Sequence, residues 1–273
     1  TFMGVPKTID NDLAVTDHTP GYGSAAKYIA STMKEIIRDA LVQPIKIVNI
    51  IEIMGRNAGW LTAAAALAKG DDCEGADLIY LPETVFDINK FVAKVQEIQK
   101  TKKQIVVAVS EGVKTADGKY VCESASSNML VDSFGHKQLS GTATALANVI
   151  SNEIGCKTRA IEFSTIQRCA SHIASLTDVN EAFIVGGIAV KAAFDGETGK
   201  VGIFQRLSNK PYLMGTSIYD VNAIANVEKT VPQEWIINDG TGVSQEALDY
   251  MRPLIQGEIY PYMVDGLPRH IKL

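Results

Sequence analysis

The sequence predicts an α/β protein built from βαβ units around a mostly parallel sheet, and three observations predict it. Apolar β-rich runs alternate with helical patterns, turn residues separate the two, and the dense polar clusters fall in loops that follow strands. In open sheets of this kind ligands bind beyond the carboxyl ends of the strands, so those loops are where function is sought.

Taken in order, Thr1-Phe2-Met3-Gly4-Val5 reads as the end of a strand, and a preceding segment is expected. Further strands are expected at 45–53, 77–81, 104–110, 157–163 and 201–207, each an apolar run rich in β-branched residues. Helices are expected at 23–42, 59–69, 87–100, 141–154, 180–194 and 244–255, of which 59–69 is Ala-rich. The loops at 114–120 and 195–200 read as polar surface turns without functional signal, and no fixed-period repeat is present.

Hydrophobic residues make up 46% of the 273, enough for one large core or two moderate ones. No run approaches the roughly 18 apolar residues of a membrane span and no basic segment leads an apolar one, so a cytoplasmic protein without a membrane partner is expected. The net charge of −5, with Lys and Arg scattered, gives no footprint for nucleic acid. Cys73, Cys122, Cys156 and Cys169 stand far apart with no CxxC pair, so neither a zinc site nor a disulfide framework is indicated.

The loop Gly4-Val5-Pro6-Lys7-Thr8-Ile9-Asp10-Asn11-Asp12 sets two carboxylates beside a lysine and a threonine directly after a strand. Asp and Asn favour turns by bonding their own backbone, so an exposed Asx-turn is one reading. The other is phosphoryl transfer, with one carboxylate as general base, the other helping to hold a metal, and Lys7 neutralising phosphate oxygens. Glu52-Ile53-Met54-Gly55-Arg56-Asn57-Ala58-Gly59-Trp60 leaves a strand and enters a helix. Its glycines suit either a plain turn or a phosphate resting on helix-start amides near Arg56. Glu111, at a strand's end in Ser110-Glu111-Gly112, is either solvated or a hydroxyl acceptor. Arg168, in Thr165-Ile166-Gln167-Arg168, and Arg159 suit phosphate.

In this order, Pro-Lys-Thr-Ile-Asp-Asn-Asp (6–12), Met-Gly-Arg-Asn-Ala-Gly (54–59), Ser-Glu-Gly (110–112) and Ile-Gln-Arg (166–168) resemble the phosphofructokinase family over nearly the whole chain. The resemblance implies phosphoryl transfer to the 1-hydroxyl of fructose 6-phosphate, giving fructose 1,6-bisphosphate, with Asp10 as general base. It implies that Thr8 touches the substrate or the transferring phosphate and that Asp12 supports Mg²⁺, which offsets charge on the donor. Met54, Gly55 and Arg56 would contact the sugar phosphate, Glu111 its hydroxyls, and Arg168 the region between sugar and transferred group. Arg159 would reach the sugar 6-phosphate of a neighbouring subunit in a homodimer or homotetramer. Thr165 stands where many relatives carry His or Tyr for that phosphate. Lys46 and Ile47 stand where an allosteric bacterial enzyme presents an Arg. Cys169-Ala170-Ser171-His172 replaces a common Gly-Gly pattern, and His172 reads as structural.

Within the resemblance Lys7 points to pyrophosphate as donor, because ATP users commonly have Gly there. An ammonium fills the space of an ATP α-phosphate and supplies charge to a donor without a nucleoside anchor. ATP as donor and a non-catalytic regulatory chain are the alternatives. The implied fold is two Rossmann-like three-layer αβα domains, the first incomplete, with the upstream Gly-Gly-Asp-Asp segment of pyrophosphate users outside the chain. Residues 1–24 and 168–235 would belong to the donor domain and 25–167 and 236–273 to the fructose-6-phosphate domain, and these residues alone are expected to be inactive.

Overall fold

A computed structural model of the chain describes residues 1–124 and 139–270. In chain order the elements are β1 (Met3–Gly4), α1 (Tyr22–Leu41), β2 (Ile47–Ile53), α2 (Trp60–Ala63) continued by a 3₁₀ turn (Ala64–Ala68), β3 (Leu78–Tyr80), α3 (Ile88–Ile98), β4 (Gln104–Ser110), α4 (Thr142–Ile154), β5 (Lys157–Glu162), α5 (Leu176–Phe194), β6 (Lys200–Asn209), β7 (Tyr212–Asp220) and α6 (Gln245–Met251). The chain forms two compact units: Thr1–Tyr28, Thr165–Lys229 and Asp249–Leu273 make the first, Ile29–Ser164 and Thr230–Leu248 the second. The partition drawn from sequence ends its first segment at residue 24 and puts 249–273 with the other domain. The compact units carry that segment on to Tyr28 and group 249–273 with it, because Tyr250 and Arg206 bond there.

The second unit holds a four-stranded parallel sheet in the order β3-β4-β2-β5, with Ile53 opposite Ser110 at the shared end of β2 and β4. β2 is buried at all seven positions, so both faces of the sheet are covered. Val48, Ile50, Ile105, Val107 and Val109 pack with Phe91 and Val95 of α3 and Leu146 and Ile150 of α4. Each such side chain contributes about 1.5–3 kcal/mol on burial. Asp87 caps α3, its Oδ1 accepting from Asn89 N (2.9 Å) and Lys90 N (3.1 Å), worth about 1 kcal/mol.

In the first unit β1 runs parallel to β6, and β6 pairs antiparallel with β7. α5 packs on all three strands. Sequence analysis anticipates 201–207 as a strand but not β7. The expectation of parallel alternation hides the second hairpin arm, Tyr-Leu-Met-Gly-Thr-Ser-Ile-Tyr-Asp, although Asn209-Lys210-Pro211 is a turn signal. The helix expected at 59–69 tightens to 3₁₀ after Ala63, and that at 244–255 does so after Met251, where Pro253 cannot supply an amide to the α pattern. The four cysteines are free, and no helix among the described residues is long and apolar enough to cross a membrane.

Candidate active site

Where β1 ends, the chain turns through Lys7 to Asp12. Asp10 N donates to Thr8 Oγ1 (3.1 Å), and that hydroxyl lies 3.3 Å from Asp10 Oδ2, so Thr8 and Asp10 are held together by local bonds. Between the two carboxylates, Asn11 is fully buried at φ 57°, a conformation Asn tolerates better than most residues. Its Oδ1 accepts from Thr19 N (3.1 Å) and its Nδ2 donates to Tyr250 Oη (3.0 Å). Leu13 then packs against Val201, Ile203 and Ile224.

Burial, and next the charge of Asp10, raise the pKa of Asp12 above its ordinary value, with Lys229 partly opposing. The negative charge of one carboxylate thus disfavours ionisation of the other. Among the described residues no cluster of three or more His, Cys, Asp or Glu side chains forms an all-protein metal cage. Magnesium fits this donor set, since it commonly takes one or two carboxylates and completes its shell with water and substrate phosphate.

Beside the turn lies a pocket of about 200 Å³ lined by Lys7, Ile9, Gly21, Ser24, Gln167 and Arg168, among others. Gly21 has φ +100°, and a Cβ there would stand 3.3 Å from Lys7 Cε, so glycine leaves room for the lysine stem. The pocket's carboxylate, Asp178, is spent on the start of α1, accepting from Gly21 N (2.8 Å), Ser24 N (3.0 Å) and Ser24 Oγ (2.5 Å). Among the described residues Lys7 and Arg168 form no ion pair, which leaves two cations for an anionic ligand.

In the second unit the parallel pairing of β2 with β4 brings Met54-Gly55-Arg56 and Glu111 together. Glu111 N donates to Ile53 O (2.9 Å), Gly55 N lies 3.4 Å from Glu111 Oε1, and Ser110 Oγ donates to Gly55 O. A Cβ on Gly112 would stand 1.9 Å from Arg56 O, so only glycine permits this crossing of loops. Gly59 N donates to Glu83 Oε1 (2.8 Å), and Thr142 Oγ1 donates to Glu111 O (3.1 Å). The N-cap of α4 is Gly141, which has no side chain to offer. Glu52 of β2 supplies the acceptor instead, its Oε2 2.9 Å from Ala143 N. Burial pushes the Glu52 carboxyl up to about 7. Arg159 lies mid-way along β5, opposite Asn49, and pairs with Asp39 of α1 at 3.0 Å. Thr165 is exposed in the 3₁₀ turn that also carries Arg168.

A buried polar network behind the first loop escapes sequence reasoning. His18 is 1% exposed, stacks on Phe204 and places Nδ1 and Nε2 each 2.8 Å from carboxylates, of Asp17 and Glu181 respectively. Burial opposes its charge, yet those two bonds raise its pKa. Arg206 Nε and Nη2 donate to the Asp17 carboxylate at 3.0–3.2 Å, and burial lowers Lys229 to about 8. The available signal is Asp17-His18 within Thr16-Asp17-His18-Thr19, two titratable residues before a helix start. Lys229, Arg206 and Tyr250 carry none, because they lie far along the chain from the loop they meet.

The Phosphofructokinase family model matches residues 1–170. The chain belongs to the phosphofructokinase family. Two curated family relatives are named pyrophosphate–fructose 6-phosphate 1-phosphotransferase. That of Halomonas elongata is 40% identical over 275 residues, covering 100% of this chain and 65% of the relative, and that of Xanthomonas campestris is 42% identical over 274 residues, covering 99% and 65%. The solved pyrophosphate-dependent phosphofructokinase of Nitrosospira multiformis superposes with a TM-score of 0.87 at 38% identity, covering 98% of this chain and 64% of that one. The chain thus has the phosphofructokinase fold and spans just under two-thirds of the length of these family members.

Proposed function

We propose that the protein transfers a phosphoryl group reversibly from pyrophosphate to the 1-hydroxyl of fructose 6-phosphate, giving fructose 1,6-bisphosphate and phosphate. The observation that carries the reading is the pocket holding Lys7 and Arg168 beside the Thr8–Asp12 turn. Its two cations suit a compact, highly charged donor. The names of the relatives agree with it.

Asp10, set by its bonds to Thr8, takes the proton of the sugar hydroxyl as that oxygen attacks phosphorus. Thr8 touches the substrate or the transferring phosphate. Lys7 and Arg168 neutralise the pyrophosphate oxygens, on which charge shifts as the bridging bond breaks. Met54, Gly55 and Arg56 bind the sugar phosphate, and Glu111 accepts from its hydroxyls. Asp12, with Asp10 beside it, would hold magnesium, which when bound offsets charge on the donor. Arg159 and Thr165 are proposed phosphate contacts of lesser weight, since the first is engaged by Asp39. The proposal includes a homodimer or homotetramer acting in the cytoplasm.

Asp10→Asn in the complete gene product tests the chemistry. The expected result is a kcat lower by about 10²–10⁴ with fructose 6-phosphate binding retained, as loss of a general base requires. Unchanged turnover would reject Asp10 as the base.

A further inference from the structure

Lys229 belongs to none of the sequence motifs, yet it touches the first loop at four points. Its ammonium donates to Asp17 O (2.7 Å) and Thr16 O (3.1 Å) and lies 3.5 Å from Asn11 Oδ1. Its backbone N donates to Asp12 O (2.6 Å), and Glu228 forms a bridge with Leu13. An ammonium has three N–H donors on a flexible stem, and all three distances lead to oxygens of one loop.

Tyr250 closes the same clamp from a second direction. Its hydroxyl donates to Asp17 O (2.6 Å) and accepts from Asn11 Nδ2 (3.0 Å). Asn11 is the residue between the two carboxylates, so the clamp reaches the reacting groups through one buried amide side chain. The loop also contains Val15 at φ 70°, where a β-branched residue is an outlier that persists only if its surroundings over-determine the backbone. The ties from Lys229 to Thr16 and Asp17, immediately after Val15, supply part of that constraint, together with bonds from Phe204 and Arg206 to the same two residues.

We propose that Lys229 is a positioning residue for phosphoryl transfer: it clamps the 11–17 loop and thereby holds Asp10 and Asp12 in their reacting places. The inference rests on the reading of Asp10 and Asp12 given above. Lys229 itself does not touch substrate.

The test uses the complete gene product as Lys229→Met, Lys229→Arg and Tyr250→Phe, with kcat and KM for both substrates and hydrogen exchange of the free protein. Misplacement of about 1 Å costs on the order of 10²-fold. Lys229→Met is therefore expected to lower kcat by about that factor while each KM stays within about threefold. Lys229→Arg, which keeps a cation and donors, recovers at least about tenfold of the loss. Exchange of the Thr19 and residue-229 amides, bonded to Asn11 Oδ1 and Asp12 O, accelerates in Lys229→Met while β2 and β4 amides stay protected. Wild-type kcat in Lys229→Met, or a loss that Lys229→Arg leaves untouched, overturns the proposal. Should Lys229→Met not fold, wild-type kcat in Tyr250→Phe overturns it. Because exchange is read without turnover, faster exchange at Thr19 alongside an active Asp10→Asn would leave the clamp standing and sink the reading of Asp10 instead.

Discussion

Replacing Glu52 with glutamine should change how the protein's stability depends on pH. Glu52 is 4% exposed in the second unit, and its carboxyl is pushed from 4.5 up to about 7. Burial is the largest cause and the charge of Glu162 adds to it, against the amides of Ala143, Gly141 and Thr142. A folded-state pKa above the unfolded one means a contribution complete below about pH 4.5 and lost as pH rises through about 7. Linkage between those values makes wild type lose about 2.5 kcal/mol between about pH 5 and 8.5 from this group alone. The replacement side chain keeps an oxygen for Ala143 N and does not titrate. Urea denaturation across that range, with wild type and Glu52→Gln compared at each pH, should show the variant gaining on wild type by about 2.5 kcal/mol toward alkaline pH. Equal slopes in the two proteins would refute the assignment of a neutral Glu52 below about pH 7.

Gly112→Ala puts a methyl 1.9 Å from Arg56 O, so the loops must part. The expected result is a loss of about 2 kcal/mol or more in stability and a KM for fructose 6-phosphate raised at least about tenfold, read by denaturation and steady-state kinetics. His18 has a pKa held above 6.5, so its stabilisation is complete below that value and fades as pH rises through the folded pKa. His18→Gln should remove that alkaline loss, measured as thermal midpoint against pH.

Much of the second unit is legible in the sequence because β2 and β4 are buried on both faces and write themselves as largely apolar runs, broken in β2 only by Asn49 and Glu52. Met54–Arg56 and Glu111 are legible for the same reason: parallel neighbours in register deliver their trailing loops to one edge. The Lys7–Asp12 cluster is visible because its residues adjoin. β7 is not, since it is half-exposed and breaks the parallel alternation, and neither is the clamp. Lys229, Arg206 and Tyr250 meet Asn11 and Asp17 only through the fold, and a single Lys in a polar stretch carries no local sign of its partners. Asp178 likewise reads as an ordinary first-turn acid until the amides that open α1 are seen to bond to it.

The central claim is that the Lys7 ammonium selects pyrophosphate as phosphoryl donor. Steady-state turnover of the complete gene product with fructose 6-phosphate, taken with pyrophosphate and with ATP for wild type and Lys7→Gly, tests it most directly. Wild type should work with pyrophosphate alone, and Lys7→Gly should lose about 10- to 100-fold in kcat/KM for that donor. Equal pyrophosphate turnover in the two proteins, or ATP as the better donor of wild type, would contradict it.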